Sequence, residues 1–486
     1  MSLKQKAIKG ALWSAVQNWG TQGVTFVVFT LLARLLDPKA FGLVALAGVF
    51  TAFVQVFLDR GFSIALVQRP KLSPEHLDTA LWTGVFIGLV MSLTGMAGAE
   101  VVAEIFREPE LAPIIRWLSP IFLIRGFSSV QDAILKRELN FKALALRSTV
   151  AITFSGVVAV IMAFAGFGIW CLVAQQLVNA SMQVLVLWCV SDWRPRLKFS
   201  VSHFQELFAF AINIIGIDLV NFLRLRGDNF LIGYYLGSTA LGYYSIAYRL
   251  LWTAIQLMIG ILGQVALPTF AKLQDDPIKL KRAFYQATLV SGLIAIPVFL
   301  GMVMQAPELI EIAFGKQWLP SVPVMQILSL AGIANAFTYF NSAVMTALDK
   351  ASWRLMLNFS STLISLIGFA IAIPFGIIGV ATAYVISNYV VLPAYVMVAY
   401  KLIGIDIKHY FSQFLLPLVC SFCMICTIVF IKFFASNSLD STQTLVISTL
   451  GGMFIYAVSL YWFKPSLFET IVRLTSSIKP TITSKK

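Results

Sequence analysis

Within the apolar stretch FQELFAFAINIIGIDLVNFLRLRGDNFLIGYY (204–235) sit Asn213, Asp218, Asn221, Arg224, Arg226 and Asp228. At about 100° per residue, Asn213, Asp218, Asn221, Arg224 and Asp228 share one face of a helix. A guanidinium offers a planar fork of N–H donors that grips phosphate oxygens two at a time and stays charged when partly buried. Carboxylates on the same face either pair with those arginines or, where burial raises a carboxyl pKa, carry protons. The available chemistry is recognition of an ion and movement of charge. A charge near the middle of a bilayer costs at least about 2.5 kcal/mol. Such a stripe therefore faces protein or water: it is either a seam between packed helices or the lining of a polar cavity, and the cavity is the expectation adopted. Arg226 falls off the stripe near one end and reads as a snorkelling anchor.

The elements that carry this stripe are membrane helices. Of 486 residues, 59% are apolar and 12% charged, against about 25% charged in a soluble domain. A transmembrane β-barrel shows alternating segments of about ten residues. Here the apolar runs are long and continuous, so the fold class is an all-α polytopic membrane protein. Between residues 11 and 463 the sequence divides into about fourteen spans, among them 114–135, 205–235 and 243–268.

The net charge of +14 does not point to nucleic acid, because the basic residues sit in short loops at one set of span ends. Lys136, Arg137, Arg194, Arg196, Lys198, Lys279, Lys281 and Arg282 are examples; the opposite ends hold only Lys39, Arg107, Lys316 and Lys432. By the positive-inside rule both termini are expected in the cytoplasm. The N-terminal MSLKQKAIKGALW is basic but runs into a polar-striped helix without a small-residue cleavage site, which argues against a removable signal. Within or beside spans lie Arg34, Arg60, Arg116, Arg125, Arg224, Arg226 and Arg249, against Asp59, Asp132, Asp218 and Asp228. The membrane interior is thus net basic.

An internal repeat organises the spans. LLDPKAFGLVALAGVF (35–50) aligns with YLGSTALGYYSIAYRL (235–250), matching Ala40 to Ala240 and Gly42 to Gly242; FGI at 167–169 aligns with FGI at 375–377. Two parallel-repeat six-helix bundles follow, 1–200 and 201–405, related by an axis along the membrane normal. Residues 406–486 add two helices and a basic tail. The first span carries Ser14, Asn18, Thr21, Gln22 and Thr25 on one face, and the second Thr51, Gln55, Asp59 and Ser63. The repeat partner of the second offers Ser245, Tyr248, Trp252 and Gln256, with Arg249 adjacent. Four related polar faces suggest a central cavity at the repeat interface, with buried seams in a static bundle as the alternative.

Catalytic signatures are missing from the sequence. His76, His203 and His409 have no metal-ligand spacing, and no G-x-x-x-x-G-K-[ST] loop occurs. Cys420, Cys423 and Cys426 lie inside an apolar run and read as packing. Asp275 and Asp276 read as a solvated turn. The chain is therefore expected to be no enzyme and to hold no metal or cofactor.

Several stretches resemble the polysaccharide transporter family: LLARLLDPKAFGLVAL (31–46), FLDRGFSIALVQRPKLS (57–73), DNFLIGYYLG (228–237), YYSIAYRL (243–250), LPTFAKLQDD (267–276) and FGKQW (314–318). The chain is most similar to the colanic-acid-type branch of the Wzx-type flippases, in the larger group that includes the MATE exporters and the lipid II flippase. The resemblance covers most of the chain to about residue 400, with Asp59, Gly61, Asp228, Tyr248 and Arg249 at family-like positions. It implies a two-bundle fold in the bacterial inner membrane that moves an undecaprenyl-diphosphate-linked oligosaccharide between leaflets by alternating access. Polysaccharide polymerase and glycosyltransferases would be partners, and nucleic acid would not.

Arg224 and Arg249 are then the expected diphosphate ligands, with Arg60 and Arg125 as secondary candidates. Asn18, Gln22, Gln55, Asn221, Tyr248, Trp252 and Gln256 are expected to line the cavity and contact sugar. Asp59, Asp218 and Asp228 either couple transport to protons or sodium or form ion pairs, Asp228 with Arg224 and Asp59 with Arg60; the pairs are the favoured reading. The rivals are a MATE-like drug exporter, whose cationic cargo would want an acidic cleft, and a non-transporting scaffold of a glycan-synthesis complex, which has no use for intramembrane charge.

Overall fold

The computed structural model describes residues 20–58, 66–67, 73–435 and 440–465. Among these residues every regular element is helical. Among the described residues nine helical stretches are long and apolar enough to cross a membrane, or ten if the bent pair Leu111–Gly126 and Ser129–Arg137 counts as one. The described chain is thus a multi-pass, all-α membrane protein. It separates into two compact units. The first comprises Met1–Thr253, Ala313–Val324 and Phe359–Tyr384; the second comprises Ala254–Ile312, Met325–Asn358 and Val385–Lys486.

The first unit opens with α1 (Gly20–Leu35) and α2 (Pro38–Leu58). Asp37 and Pro38 make the boundary between them. The Asp37 carboxylate accepts from Ala40 N at 2.9 Å, while Pro38 occupies the first helical position, where no N–H is needed. The free carbonyls at the end of α1 are met from far along the chain. Gln317 donates to the Ala33 and Leu36 carbonyls and Trp318 Nε1 donates to Ala33 O at 2.7 Å. This gives the FGKQW stretch its structural role, and Phe314 adds an edge contact to Phe29.

Next come α3 (Pro74–Phe106), α4 (Leu111–Leu118), α5 (Pro120–Gly126), α6 (Ser129–Arg137), α7 (Phe141–Phe164) and α8 (Trp170–Val190). The span expected at 114–135 is not one helix. It is three short ones with a 43° bend before α6. Pro120 removes one backbone donor and breaks the ladder at its start, and the turn at Phe127–Ser128 redirects the chain.

The longest element is α9 (Val201–Lys272), which contains both expected spans 205–235 and 243–268. Gly237 divides it, with φ 82° and ψ 177°, a conformation that a residue with a Cβ rarely adopts. The arm beyond the bend begins at Ser238, whose N–H and hydroxyl both donate to Glu108 Oε1, at 3.1 and 2.5 Å. A carboxylate there satisfies free amides and favours the positive end of the helix dipole.

This arm crosses the start of α2 through two glycines. A Cβ on Gly42 would fall 1.7 Å from Ser238 O, and one on Gly242 would fall 2.0 Å from Pro38 O. The contacts are reciprocal: residue 42 lies on 238 and residue 242 lies on 38. A twofold relation between positions 200 apart produces this pattern.

The second unit contains most of α10 (Pro277–Phe314), α11 (Val322–Ala347) and α13 (Gly376–Ile403), together with α14 (Ile407–Ala435) and α15 (Ser441–Phe463). The element α12 (Ala351–Ala372) contributes to both units. Asp276, read from sequence as part of a solvated turn, caps α10: its carboxylate accepts from Lys279 N at 3.1 Å and pairs with Lys279 Nζ at 2.8 Å. The hairpin α14–α15 is tied to α10 by Lys432–Glu308 at 2.6 Å, Thr449 Oγ1 to Gln305 at 2.8 Å and Tyr456 Oη to Leu293 O at 2.8 Å.

Candidate functional site

Five helical segments of the first unit surround a cavity of about 480 Å³. Each contributes one face at helical spacing. From α1 come Thr25, Phe29 and Leu32; from α2, Phe41, Val44, Ala45 and Gly48; from α8, Leu172 and Gln175. The two arms of α9 supply Leu225, Arg226 and Asn229 before the bend and Ser245, Tyr248, Arg249 and Trp252 after it. Two guanidiniums, two carboxamides, two hydroxyl side chains, a phenol and an indole therefore face one space. No carboxylate is among the lining residues; Asp228, behind the wall, is the acid whose charge reaches Arg226.

Several contacts hold these groups in place. Arg249 lies over the Phe29 ring at 5.4 Å, a cation–π contact that orients the guanidinium without neutralising it. Phe29 is in turn buttressed edge-on by Phe41 and Phe314. Tyr244, Tyr248 and Trp252 form a ladder along the second arm, with ring centroids 6.0 and 6.5 Å apart and planes within 20° and 8° of parallel. Spacing of i, i+4, i+8 on one helix produces that stacking. Beneath the ladder the buried Asp228 accepts from Tyr244 Oη at 2.9 Å and from Asn229 N at 2.7 Å. Its carboxylate joins the two arms across the Gly237 bend.

The sequence-derived residues fare differently. Tyr248, Arg249 and Trp252 come together on the cavity wall. Arg224 does not: it is exposed and lines no part of this space. Arg226, expected to be a peripheral anchor, takes that place. Two residues along a helix turn the side chain by about 200°, and the face that meets the cavity is the one bearing 225, 226 and 229. Asp228 pairs with Tyr244 rather than with Arg224, because its side chain turns toward the second arm.

Gln22, Gln55, Asn221 and Gln256 are half-buried but off the lining, as is Asp218. Arg125 lies in α5, also off it. Asn18, Asp59, Arg60 and Gly61 lie outside the described residues. The other in-span arginines are engaged elsewhere: Arg34 Nε donates to Ala313 O at 3.0 Å, and Arg116 pairs with Glu100 at 2.5 Å. Sequence reasoning missed Asn229 and Gln175. The signal for Asn229 was its i+3 relation to an in-span arginine; Gln175 had none beyond being a carboxamide in a span.

One metal-competent group forms that no spacing announced. Ligand atoms of His76, His203 and Glu206 lie within 4.8 Å of one another, and the two imidazoles stack at 3.8 Å. His76 Nδ1 is already engaged by the Ser73 hydroxyl at 2.5 Å. This cluster ties the start of α3 to the start of α9.

Comparisons with known proteins agree with this architecture. The chain is 27% identical over 473 residues to the succinoglycan biosynthesis transport protein ExoT of Rhizobium meliloti (strain 1021), covering 96% of this chain and 95% of that one. It is 26% identical over 425 residues to the lipopolysaccharide biosynthesis protein WzxC of Escherichia coli (strain K12), covering 86% of each. Among solved structures it is similar to a lipid II flippase MurJ in an inward closed conformation, with a TM-score of 0.78 at 16% identity over 94% of this chain and 99% of that one. That likeness establishes a shared fold. A sequence profile for the family described as "Polysaccharide biosynthesis protein" matches residues 31–323, more than half of the sequence, and the chain therefore belongs to that family.

Proposed function

We propose that this protein is a flippase that moves an undecaprenyl-diphosphate-linked oligosaccharide from the inner to the outer leaflet of the bacterial inner membrane, by alternating access, for exopolysaccharide, O-antigen or lipopolysaccharide synthesis. The observation that carries the reading is the cavity that presents Arg226 and Arg249 without a carboxylate. Charge in a membrane helix is costly, and two like charges facing one space repel. A diphosphate offsets both, since each guanidinium can take phosphate oxygens in a bidentate fork. Tyr248 and Trp252 give flat apolar faces for sugar rings, while Asn229 and Gln175 offer donors and acceptors for hydroxyls. A drug exporter for cations would want the opposite sign on this wall.

Both termini are cytoplasmic in this proposal, and the halves 1–200 and 201–405 rock about the substrate while 406–486 forms an appendage. Polysaccharide polymerase and glycosyltransferases act before and after it. The flippase makes and breaks no bond. Asp228, buried and bonded to Tyr244, serves to hold the wall; proton or sodium coupling would fall to Asp59 or Asp218.

Complementation tests the whole reading. The chain is expressed in a bacterium lacking its own O-antigen or exopolysaccharide flippase, and surface glycan is measured. Restored glycan is the expected result. Arg226→Ala combined with Arg249→Ala should cut export about tenfold or more with the protein still in the membrane. Full export by that double variant would remove the arginines from the mechanism.

A further inference from the structure

A second cavity of the first unit, about 570 Å³, lies on the other side of Arg226. Its wall comes from α2, α3, the first arm of α9 and α12, and every lining residue except Arg226 is apolar or glycine. Phenylalanine rings among the aliphatic side chains brace one another edge-on: Phe53 against Phe222 at 5.5 Å, and Phe106 against Phe230 at 5.4 Å. The mouth is open, since Phe53, Ile105, Leu223 and Phe230 are each more than 40% exposed. Leu366 and Ala370 of α12 close the far side, where α9 comes near enough that a Cβ on Gly227 would meet Leu366 Cδ2 at 2.5 Å.

Arg226 thus lines two spaces of opposite character, a polar one with Arg249 and an apolar one without a second polar side chain. We propose that the apolar cavity holds the first isoprene units of the polyprenyl chain, with the diphosphate on Arg226 and the glycan in the polar cavity. The inference rests on the flippase reading and extends it by assigning a site to the lipid. The occupant follows from the wall. An anion bound at Arg226 has a polar space on one side and a hydrocarbon space on the other, and a polyprenyl diphosphate-linked sugar carries groups of those two kinds on either side of its diphosphate. The volume is within the range of about 300–1,000 Å³ of built small-ligand pockets. Branched, unsaturated isoprenes fill a wide slot of rigid rings, in which each buried methyl or methylene adds to affinity.

The test uses the full-length protein in detergent and a matched pair of ligands: undecaprenyl diphosphate and methyl diphosphate, each carrying one sugar. The wild-type protein should bind the isoprenoid ligand more tightly. Ala370→Trp and Leu366→Trp, which fill the apolar cavity only, should weaken undecaprenyl binding about tenfold while leaving methyl diphosphate binding within about twofold. Retained binding of the methyl ligand shows that the variants fold. In parallel, an undecaprenyl diphosphate bearing a diazirine on its first isoprenes should label peptides containing 222–231 or 366–370, and unlabelled undecaprenyl diphosphate should compete. Equal loss for both ligands, labelling on other helices, or competition by phosphatidylglycerol alone would overturn the assignment; in the last case the occupant is a bilayer acyl chain. Failure of the wild type to bind either ligand would overturn the flippase reading and this inference with it.

Discussion

The helix that begins at Pro38 and the arm that begins at Ser238 stand 200 positions apart in the chain, cross through matched glycines, and face the same cavity with the same turns. Their side chains differ in kind. Where α2 presents Ala45 and Gly48, the arm presents Ser245 and Tyr248, and it adds Arg249 and Trp252. Val49, at the position matching Arg249, faces the apolar cavity instead. A repeated pair of helices thus makes the space, and divergence between the copies makes it lopsided. One wall supplies room, and the other supplies charge and flat rings.

The largest effect should come from breaking the crossing that makes the two helices comparable. Gly42→Leu or Gly242→Leu puts a side chain where a backbone carbonyl already sits, and overpacking of that kind costs about 1–3 kcal/mol or more. Both variants should lower the melting temperature sharply and reduce the amount of folded protein in the membrane. If one glycine tolerates leucine and the other does not, the crossing is not reciprocal.

Next is Tyr244→Phe, which deletes the hydroxyl bonded to Asp228 behind the aromatic ladder. Leaving a buried acceptor short of a partner costs about 1–3 kcal/mol. Thermal unfolding should shift down while glycan export persists. Lost export at unchanged stability would move Asp228 from holding the wall to driving transport.

Gly48→Leu sharpens the contrast on the other wall. Nothing lies within 4 Å of the Cβ that would be added there, so the fold should keep its melting temperature. The side chain would take cavity volume, and binding of the bulkiest glycans should weaken several-fold while small ones bind as before. Equal loss for all ligands would mean that α2 does more than leave room.

The smallest effect concerns a second helix that starts with Asp-Pro. Lys279 beside Asp276 holds its carboxyl below the usual carboxylate range. A carboxyl lowered by folding stabilises while ionised, so its contribution is fully present above about pH 4 and fades as pH falls through the lowered value. Asp276→Asn should therefore differ slightly from wild type in melting temperature near neutral pH and converge with it in acid. A gap that persists below about pH 3 would show that the capping bond, not the charge, matters there.

The sequence alone determined the membrane class and the helices, because long apolar runs leave the backbone no partner but itself. It also determined the register of Gly42 with Gly242, whereas the capping of two helix starts by Asp37 and Asp276 emerged only from the structure. Tyr248, Arg249 and Trp252 were legible as one wall because helical spacing is a local property. What lay beyond the sequence depended on which faces meet. Arg226 replaced Arg224 because the bend at Gly237 and the packing of α1, α2 and α8 decide which side of α9 looks inward. Glu108 reaches the start of the second arm, Trp318 reaches the end of α1, and Leu366 and Ala370 close an apolar cavity opened by α2 and α3. None of these meetings is encoded in a local period. They are decided when apolar faces from distant parts of the chain pack together, and that packing sets where the few costly charges face a cavity.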